Sequence, residues 1–590
     1  MGWPGSPGPS RISPAVNWAR DRKKPTEATA PASGASSWDL HPRDAGRAER
    51  SLEVACSLSK LLVANRGEIA LRVFRACREL GIATVAVAPA DDRGSLHARS
   101  ADETVEISSY LDADEHIRAA RESGADAIHP GYGFLAESPE FAAAVKSAGL
   151  IWVGPPADAL RAGGDKLEAK RIAREAGVPV VPEGEPDEIG YPLMVKAAAG
   201  GGGRGMRVVR EAAELEEALA AARREAKAAF GDDRVFCERY VERPRHVEIQ
   251  LLGDQRGDVV ALGERECSVQ RRHQKVLEES PALDAELREQ MSEAAVAFAR
   301  AIGYRSAGTA EFMLDGRNFW FLELNGRIQV EHPVTELVTG VDLVREQLRI
   351  AQGEPLHAAD SYLEGHAVEV RLYAEDPRTF LPQTGRIERL RLPSGIRVDA
   401  GVEEGDEVGT RYDPLLAKLI AHAATRDDAL GRLASALDET EVEGVGTNLP
   451  FLRWLVGHPA LRAGRTTTAF LTDHPPLSAP PLRVPDRPWA GAFRLNLPPP
   501  PPAPPPDPEV ASHDHPGKEQ SSLTAPMPGT VIRVLVGSGD SVQPRQPLVV
   551  LEAMKMETPV VSPYEAVVRA VHVSEGDRVA GGELLVELEE

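Results

Sequence analysis

The first regular pattern of apolar residues predicts a strand, a helix and a second strand. Residues 61–64 form an apolar run typical of a buried strand, and apolar residues then recur at helical spacing over 69–80, where Gly81 follows as a candidate C-cap. Residues 84–87 form a second apolar run. This order indicates a βαβ unit with a parallel sheet. The intervening turn lacks the G-x-G-x-x-G pattern of dinucleotide-binding folds.

Alternating α/β character continues to about residue 474, between two segments of different composition. Residues 1–57 are rich in Pro, Ser, Ala, Gly and Arg and show neither a helical nor a strand period, so we expect a disordered extension. Residues 498–508 contain nine prolines, which favour an extended and semi-rigid spacer. The Pro-rich segment therefore separates two folded parts.

The residues after the spacer are strand-like and contain a degenerate internal repeat. The matching positions, at an offset of 37 residues, are Gly539 and Gly576, Asp540 and Asp577, Val542 and Val579, Val531 and Val568, and Leu548 and Leu585. Two similar halves of this kind predict a small β-sandwich with pseudo-two-fold symmetry.

The overall composition excludes several classes of function. A length of 590 residues gives a prior of roughly four domains. The chain has 68 Lys and Arg against 90 Asp and Glu, a net charge of −22, so we expect no nucleic-acid partner. No stretch approaches 18 consecutive apolar residues, so we expect no membrane-spanning helix.

Cysteine usage and the N-terminal segment bear on the compartment. The four cysteines form no C-x-x-C motif and no regular ladder, which fits a reducing cytosol. Residues 1–57 lack the apolar core of a secretory signal, and Pro4, Pro7, Pro9 and Pro14 disfavour the amphipathic helix of a mitochondrial presequence. We therefore expect a cytoplasmic protein with a passive N-terminal tail.

Three polar motifs in the α/β part indicate a nucleotide site. Lys196 precedes the glycine run 200–205, whose backbone N–H groups can approach phosphate oxygens. Glu311 and the segment 323–331 supply oxygens suited to Mg²⁺, and in an extended chain the polar residues of this segment would share one face. Residues 271–275 form a cationic cluster that could neutralise a phosphate or an oxyanion.

These residues resemble the biotin carboxylase component of biotin-dependent carboxylases, an ATP-grasp enzyme. The matching segments include ANRGEIALR, HPGYGFLAE, GGGGRGMRVV, RPRHVEIQ, CSVQRRHQKV, ELNGRIQVEHPVTELVTG and YDPLLAKL. Residues 521–590 resemble the biotinyl carrier domain through APMPG and Glu-Ala-Met-Lys-Met. The fold implied is an α/β biotin carboxylase with an ATP-grasp core, followed by a small all-β biotinyl (lipoyl-like) sandwich.

The resemblance also implies an organisation into six parts. An N-terminal extension (1–57) precedes the biotin carboxylase N-terminal α/β domain (58–165), the ATP-grasp domain with its glycine-rich lid (166–365) and the biotin carboxylase C-terminal domain (366–475). A Pro-rich linker (476–520) then leads to the biotinyl carrier domain (521–590). The usual β-domain that docks the partner subunit has no counterpart after residue 489, so the mode of assembly is left open.

Carried over by motif, the resemblance assigns a role to each candidate residue. It implies ATP contacts from Lys166, Lys196, Gly201, Gly202, Gly203, Glu238, His246 and His273, and Mg²⁺ (or Mn²⁺) ligands in Glu311, Glu323 and Asn325. It implies bicarbonate contacts from Lys275, Arg327, Gln329 and Val330. Glu331 would act as the base, Arg371 would stabilise the biotin enolate, and Lys555 would carry the covalent biotin. The catalytic set implied is Lys275, Arg327, Glu331 and Arg371.

Three departures from the family pattern leave one alternative open. Ala199 stands before the glycine run, Gly326 replaces the usual Thr or Pro and would loosen a strand, and residues 181–190 are short enough to lack a helix. A non-catalytic biotin-carrier scaffold is therefore the alternative to an active enzyme. Cys267, beside the basic cluster, is interpreted as a packing residue.

The implied activity is ATP- and bicarbonate-dependent carboxylation of biotin on the chain's own carrier. The resemblance implies the α-subunit of an acetyl-CoA or propionyl-CoA carboxylase, the former a step of fatty acid biosynthesis. The 3-methylcrotonyl-CoA and pyruvate systems stay open, because the acceptor is chosen by a separate carboxyltransferase. The partners implied are that carboxyltransferase β-subunit, a biotin protein ligase, and a second copy of the chain bound through the helix carrying Arg72, Arg75 and Glu79.

Overall fold

The computed structural model describes nine stretches of the chain. They are residues 58–198, 206–230, 232–271, 274–357, 363–477, 522–526, 529–553, 556–579 and 582–589. Contacts divide the chain into Met1–Leu52 and Glu53–Glu590, and every described residue belongs to the second unit. The expected N-terminal extension, the glycine run with Ala199, and the Pro-rich segment lie outside the described residues.

A five-stranded parallel sheet forms the first region, in the order β3-β2-β1-β4-β5. Its strands are β1 (Lys60–Val63), β2 (Ala83–Ala88), β3 (Glu103–Glu106), β4 (Ala127–His129) and β5 (Ile151–Trp152). Its helices are α1 (Gly67–Leu80), α2 (Leu96–Ser100), α3 (Ala113–Ser123), α4 (Pro139–Ser147) and α5 (Ala157–Gly164). The predicted βαβ unit is confirmed. Gly81 caps α1 with a left-handed φ of 72°, which glycine adopts without strain.

The second region contains the lid elements and most of a large antiparallel sheet. Its helices are α6 (Lys166–Glu175), α7 (Pro186–Ile189), α8 (Leu215–Phe230), α9 (Ala285–Ala301), α10 (His332–Thr339) and α11 (Leu343–Ala351). Its strands are β6 (Leu193–Ala197), β7 (Arg207–Val209), β8 (Val235–Arg239), β9 (Arg245–Gly253), β10 (Val259–Arg271), β11 (Gln274–Ser280), β12 (Ser306–Asp315) and β13 (Asn318–Asn325). Strands β7, β6 and β8 form a separate small sheet.

The third region completes the large sheet. Its strands are β14 (His366–Tyr373), β15 (Gly385–Arg386), β16 (Arg389–Arg391), β17 (Arg397–Ala400), β18 (Glu407–Val408), β19 (Leu415–Ala423) and β20 (Glu441–Glu443). Its helices are α12 (Arg426–Glu439), α13 (Leu449–Gly457), α14 (Pro459–Arg462) and α15 (Phe470–Asp473). The eight-stranded order is β13-β12-β9-β10-β11-β14-β19-β17. Because β11 pairs with β14, one sheet crosses the domain boundary expected at residue 366.

Apolar packing on this sheet leaves its polar side chains facing a cavity. Phe298 of α9 lies against Phe321 of β13 with ring centroids 4.4 Å apart, within one buried cluster. Leu430 and Leu433 of α12 and Phe451 of α13 pack on β14 and β19 in a second cluster. Both clusters hold the strands that carry Lys275, Glu311, Glu323 and Arg371, so these candidate site residues lie on rigid elements.

The described residues of the expected carrier domain form two four-stranded sheets around one apolar core. Its strands are β21 (Ser522–Thr524), β22 (Gly529–Val534), β23 (Ser541–Val542), β24 (Pro547–Ala553), β25 (Met556–Val561), β26 (Ala566–Val571), β27 (Arg578–Val579) and β28 (Leu584–Glu589). Strand β23 pairs with β26, and β27 pairs with β22. Gly539 and Gly576 have φ values of 94° and 95°. This reciprocal pairing matches the predicted pseudo-two-fold repeat.

Three local expectations are wrong. The extended face predicted for residues 323–331 ends with β13 at Asn325, and residues 326–331 form an irregular turn before α10. A Cβ at Gly326 would lie 2.6 Å from Leu160 Cδ2, so this glycine accommodates Leu160 instead of loosening a strand. The short segment at residues 181–190 does contain a helix, the single turn α7.

The expected dimer face is also altered. Arg72 is buried and pairs within the chain with Glu336 at 2.8 Å and Asp342 at 2.7 Å. Arg75 pairs with Asp399 and Glu79 pairs with Arg345. Arg72 therefore does not belong to an exposed face of α1.

Among the described residues, no helix is long and apolar enough to cross a membrane.

Candidate active site

The first group of site residues is a cluster of lysines around one buried carboxylate. Lys166 begins α6, Lys170 follows one turn later, and Lys196 projects from β6. Glu238 of β8 accepts a hydrogen bond from Lys170 at 2.5 Å and also pairs with Lys196. Burial would raise the pKa of Glu238, but Lys196 and Lys170 hold it below its usual value. The cluster has surplus positive charge, which suits phosphates.

Lys170 is a further residue of this cluster, and no motif in the sequence indicated it. Its side chain is 5% exposed and its ammonium group lies 4.6 Å from the centre of the Phe236 ring. The available signal was its spacing of four residues from Lys166, which places both lysines on one face of a helix.

The expected metal ligands lie side by side at the end of the β12–β13 pair. Glu311 is directly opposite Glu323 in the strand register, and Asn325 Nδ2 donates to Glu311 Oε1 at 2.8 Å. Partial burial raises the pKa of Glu323, and the neighbouring Glu311 charge raises it further. His246 Nε2 lies 3.2 Å from Glu311 Oε2. Two adjacent carboxylates form a donor set that fits Mg²⁺, with the Asn325 amide beside them.

A second buried cluster is centred on Lys275. Its ammonium group donates to Glu311 at 2.8 Å and to Glu331 at 2.7 Å, and it also contacts Glu248. The other oxygen of Glu331 accepts from Arg371 at 2.9 Å. Burial alone would raise the pKa of Glu331, but Lys275 and Arg371 hold it well below its usual range. Glu331 is therefore an ionised carboxylate between two cations.

The turn that replaces the expected strand brings three further residues to this cluster. Arg327 donates to Gln329 Oε1 at 2.7 Å and to Asn325 Oδ1 at 3.0 Å. Gln329 Nε2 donates in turn to Glu311 at 3.3 Å. The Val330 carbonyl accepts from Lys418 at 2.9 Å. These bonds fix the side chain of Arg327 and the backbone at Val330 beside Glu331.

Residues behind the cluster hold its members in place, and sequence reasoning missed them. Arg265 is fully buried and donates to Glu248 at 2.5 Å, to Gln250 at 2.7 Å and to Thr335 at 2.7 Å. Their signal in the sequence was weak, since buried charges at strand positions cannot be told from exposed ones by period alone. Cys267 is fully buried, and burial raises the pKa of its thiol well above the usual value.

These groups line one cavity of about 1420 Å³. Thirteen predicted site residues line it, namely Lys166, Lys196, Glu238, His246, Lys275, Glu311, Glu323, Asn325, Arg327, Gln329, Val330, Glu331 and Arg371. The predictions for Gly201, Gly202, Gly203, His273 and Lys555 lie outside the described residues. Gly529, Thr530 and Arg578 of the carrier also line this cavity.

Four family models match the chain in order. They are described as Biotin carboxylase, N-terminal domain (57–160), Carbamoyl-phosphate synthase L chain, ATP binding domain (165–359), Biotin carboxylase C-terminal domain (369–473) and Biotin-requiring enzyme (521–588). The chain belongs to the biotin carboxylase family. It combines an ATP-dependent biotin carboxylase with an attached biotinyl domain. ATP is therefore its energy-supplying substrate, and biotin is its cofactor and carries the carboxyl group.

Two curated relatives and one solved structure show how far the similarity extends. The propionyl-CoA carboxylase alpha chain of Ruegeria pomeroyi is 48% identical over 72% of this chain and 70% of the relative. The mitochondrial methylcrotonoyl-CoA carboxylase subunit alpha of Mus musculus is 48% identical over 71% of this chain, which spans 62% of that relative.

The solved structure is the biotin carboxylase domain dimer of the Hydrogenobacter thermophilus 2-oxoglutarate carboxylase, in complex with MgADP, ADP and bicarbonate. It is 45% identical, with a TM-score of 0.69, and the match covers 71% of this chain and 98% of that domain. The chain thus matches almost the whole length of that biotin carboxylase domain.

Proposed function

We propose that the chain carboxylates biotin on its own carrier in the cavity described above. The observation that carries this is Glu331, held ionised between Lys275 and Arg371 where the lysine cluster and the carboxylates Glu311 and Glu323 meet. A base, a phosphate site and a metal donor set in one cavity are what bicarbonate activation by ATP requires.

Lys166, Lys196, Glu238 and His246 bind ATP. When ATP binds, Lys196 contacts the triphosphate instead of Glu238. The charge of Glu238 is still neutralised by Lys170. Glu311, Glu323 and Asn325 hold Mg²⁺, and the repulsion between the two opposed carboxylates supports this assignment. The metal supplies neutralisation of the charge that develops on the phosphate oxygens. Gly201, Gly202, Gly203 and His273 complete the proposed ATP contacts.

Bicarbonate lies against Lys275, Arg327, Gln329 and the backbone at Val330. The negative charge of bicarbonate competes with Glu331 for the ammonium group of Lys275. Glu331 therefore becomes more basic. Glu331 takes the bicarbonate proton, and the oxygen attacks the γ-phosphorus while ADP leaves. The mixed anhydride breaks down to CO2 and phosphate, and the phosphate takes the ureido proton of biotin as its nitrogen attacks CO2. Arg371 offsets the charge that develops on the ureido oxygen.

Biotin reaches this site on the carrier. Lys555 is the proposed attachment residue. Thr530, which lines the cavity, pairs with Glu552 in the β22–β24 register, three residues from Lys555. This part of the carrier therefore lines the cavity of the proposed site, which supports transfer within one chain. A tether also keeps the carrier at a high effective concentration.

Acetyl-CoA or propionyl-CoA is the proposed final acceptor, with acetyl-CoA leading to fatty acid biosynthesis. The propionyl-CoA carboxylase relative supports an acyl-CoA acceptor, while the methylcrotonoyl-CoA relative keeps the 3-methylcrotonyl-CoA alternative open. The pyruvate alternative rests on the module that these systems share. The acceptor would be chosen by a carboxyltransferase β-subunit.

Two other partners and the compartment are also proposals. A biotin protein ligase would acylate Lys555. A homodimer would form through the biotin carboxylase part, supported by the dimer in the solved relative, with Arg75 and Glu79 as the partly exposed residues of α1. A cytoplasmic location is supported by the free and buried Cys77, Cys237 and Cys267. Cell fractionation with antibody detection tests the location.

Two of the three observations that favoured a non-catalytic biotin-carrier scaffold no longer support it. Gly326 is packed against Leu160, and α7 occupies the short segment, while Ala199 lies outside the described residues. The deciding experiment is ATP turnover by the full-length chain, measured as phosphate release. We expect release that requires both bicarbonate and biotin. ATP binding without such turnover would favour the scaffold.

A further inference from the structure

Two buried carboxyl groups lie behind Arg371 and have no role in the mechanism above. Glu278 of β11 and Glu369 of β14 are directly opposite each other in the antiparallel register, and both are fully buried. Glu278 Oε1 accepts from Arg371 Nε at 2.7 Å. Among the described residues, Glu278 Oε2 and both oxygens of Glu369 have no hydrogen-bond partner.

Two ionised carboxylates cannot be stable in this arrangement. Side chains directly opposite on neighbouring strands have Cβ atoms about 5 Å apart, and like charges there are destabilising. A buried charge without hydrogen bonds costs several kcal/mol, and such a group is protonated instead. A protonated carboxyl donates one hydrogen bond, and the unpartnered oxygen opposite Glu369 is Glu278 Oε2.

We propose that Glu278 and Glu369 share one proton, carried by Glu369 and donated to Glu278 Oε2, and that the charge remaining on Glu278 positions Arg371. The proton is held between the two carboxyl groups, and no other reactant is needed. The proton site itself does not depend on the proposed function. Only the consequence for Arg371 rests on it.

The charged groups around the pair favour this distribution. Arg371 lies beside Glu278, whereas Glu369 faces Lys418 of β19 without a hydrogen bond to it, and Glu331 and Lys275 lie further along the cluster. Burial raises the pKa of Glu369 well above its usual value, against the opposing effect of Lys418. Burial also raises the pKa of Glu278, to about 7, against the effect of Arg371. The carboxyl with the weaker cation contact is thus the one that keeps the proton.

The proposed consequence concerns the orientation of the guanidinium group. Arg371 donates to Glu278 on one side and to Glu331 on the other. With one proton on the pair, Glu278 holds a single charge that matches one cation and leaves the Glu331 contact intact. Glu278 is therefore a positioning residue, since it acts on biotin only through Arg371.

Infrared difference spectroscopy of the full-length protein tests the proton directly. A protonated carboxyl has a C=O stretch that is separate from carboxylate bands and shifts in D2O. We expect Glu369→Gln to lose one such band at pH 7. Glu278→Gln should keep the band and shift it upward in frequency, because a neutral amide is a weaker acceptor than a carboxylate. The matched control is Glu264→Gln.

Glu264 is buried and its carboxylate is fully bonded, to the backbone N–H groups of Ala282 and Leu283 and to Arg288. Glu264→Gln should therefore change only carboxylate bands. An unchanged protonated-carboxyl region in both Glu369→Gln and Glu278→Gln would overturn the proposal. If Glu369→Gln does not fold, the shift expected in Glu278→Gln decides alone.

Steady-state kinetics test the positioning role. Losing a hydrogen bond to a charged group should lower kcat/KM for biotin about tenfold or more in Glu278→Gln. The KM for ATP should change less than twofold, and Glu278→Asp should recover part of the loss because it keeps the charge. Equal effects on biotin and ATP, or no recovery in the aspartate variant, would overturn this role. Absence of turnover in the wild type would instead count against the proposed function and leave the infrared result valid.

Discussion

Lys275 Nζ lies 2.7 Å from Glu331 Oε1, inside a pocket where both side chains are less than one-tenth exposed. The pair keeps the carboxylate ionised at any pH near neutrality, because its pKa is held well below the usual range. Glu331→Gln keeps the shape of the side chain and removes the proposed base. We expect biotin-dependent ATP turnover to fall by about 10² to 10⁴. Phosphate release assays measure this fall.

The same variant provides its own control. The hydrogen bonds of Glu331 go to Lys275 and Arg371 and not to the lysine cluster proposed to bind ATP, so the Kd for ATP by calorimetry should stay within a few-fold of wild type. A variant with both turnover and ATP affinity near wild type would show that Glu331 is not the base.

Lys170 provides a second prediction, because it neutralises Glu238 and leaves Lys196 available for phosphates. In Lys170→Met, Glu238 keeps Lys196 as its main remaining cation, and we expect ATP to bind about tenfold more weakly. Lys170→Arg preserves the charge and should bind ATP more tightly than the methionine variant. Equal ATP affinities in wild type and Lys170→Met, by calorimetry, would disprove this role.

Thirteen of the residues that the sequence indicated line one cavity, but the backbone that presents some of them differs from the predicted strand. The carrier repeat was readable because matched glycines and valines recur at a fixed offset, and each has the same structural role in both halves. The βαβ unit was readable from period and a glycine cap. These features depend on local pattern, which a sequence shows directly.

The errors came from tertiary packing. Alternating polar residues over 323–331 predicted a strand, yet β13 ends at Asn325, and Gly326 leaves room for Leu160 from another element. Arg72 was predicted on an exposed face of a helix but forms buried ion pairs, and so does Arg265, which no motif indicated. Their partners are distant in sequence, so no local pattern reveals them.

The ion pair network of Glu279 predicts how stability depends on pH. Glu279 accepts from Arg426 at 2.6 Å and lies 2.9 Å from His366. Burial would raise its pKa, but hydrogen bonds from His366 and Arg426 lower it below the usual value. A lowered pKa stabilises the fold above the unfolded-state pKa, and this contribution disappears as the pH falls through the folded-state pKa.

We therefore expect Glu279→Gln to lose about 3 kcal/mol of unfolding free energy at pH 7, as for other broken buried pairs. The difference from wild type should shrink at acidic pH. Calorimetric melting of the full-length chain at several pH values measures both effects. Glu443→Gln is the control, since its pair with Arg389 is exposed and should contribute little. A loss that stays constant down to the most acidic pH would contradict this explanation.

The acceptor step gives a further prediction. We expect the purified chain to transfer no carboxyl group to acetyl-CoA or propionyl-CoA until a carboxyltransferase is added. The four family descriptions that match the chain name biotin carboxylase, ATP-binding and biotin-requiring domains. Radiolabelled acyl-CoA formed by the chain alone would disprove the prediction.

The most direct test of the central claim is the transfer of radiolabelled bicarbonate to the biotin of the full-length chain. The biotinylated wild type should become labelled only when ATP and Mg²⁺ are present. Lys555→Arg should carry no biotin and no label, and Glu331→Gln should carry biotin without label. If the biotinylated wild type binds ATP but stays unlabelled, or if Lys555→Arg becomes labelled, the chain does not carboxylate its own carrier as proposed.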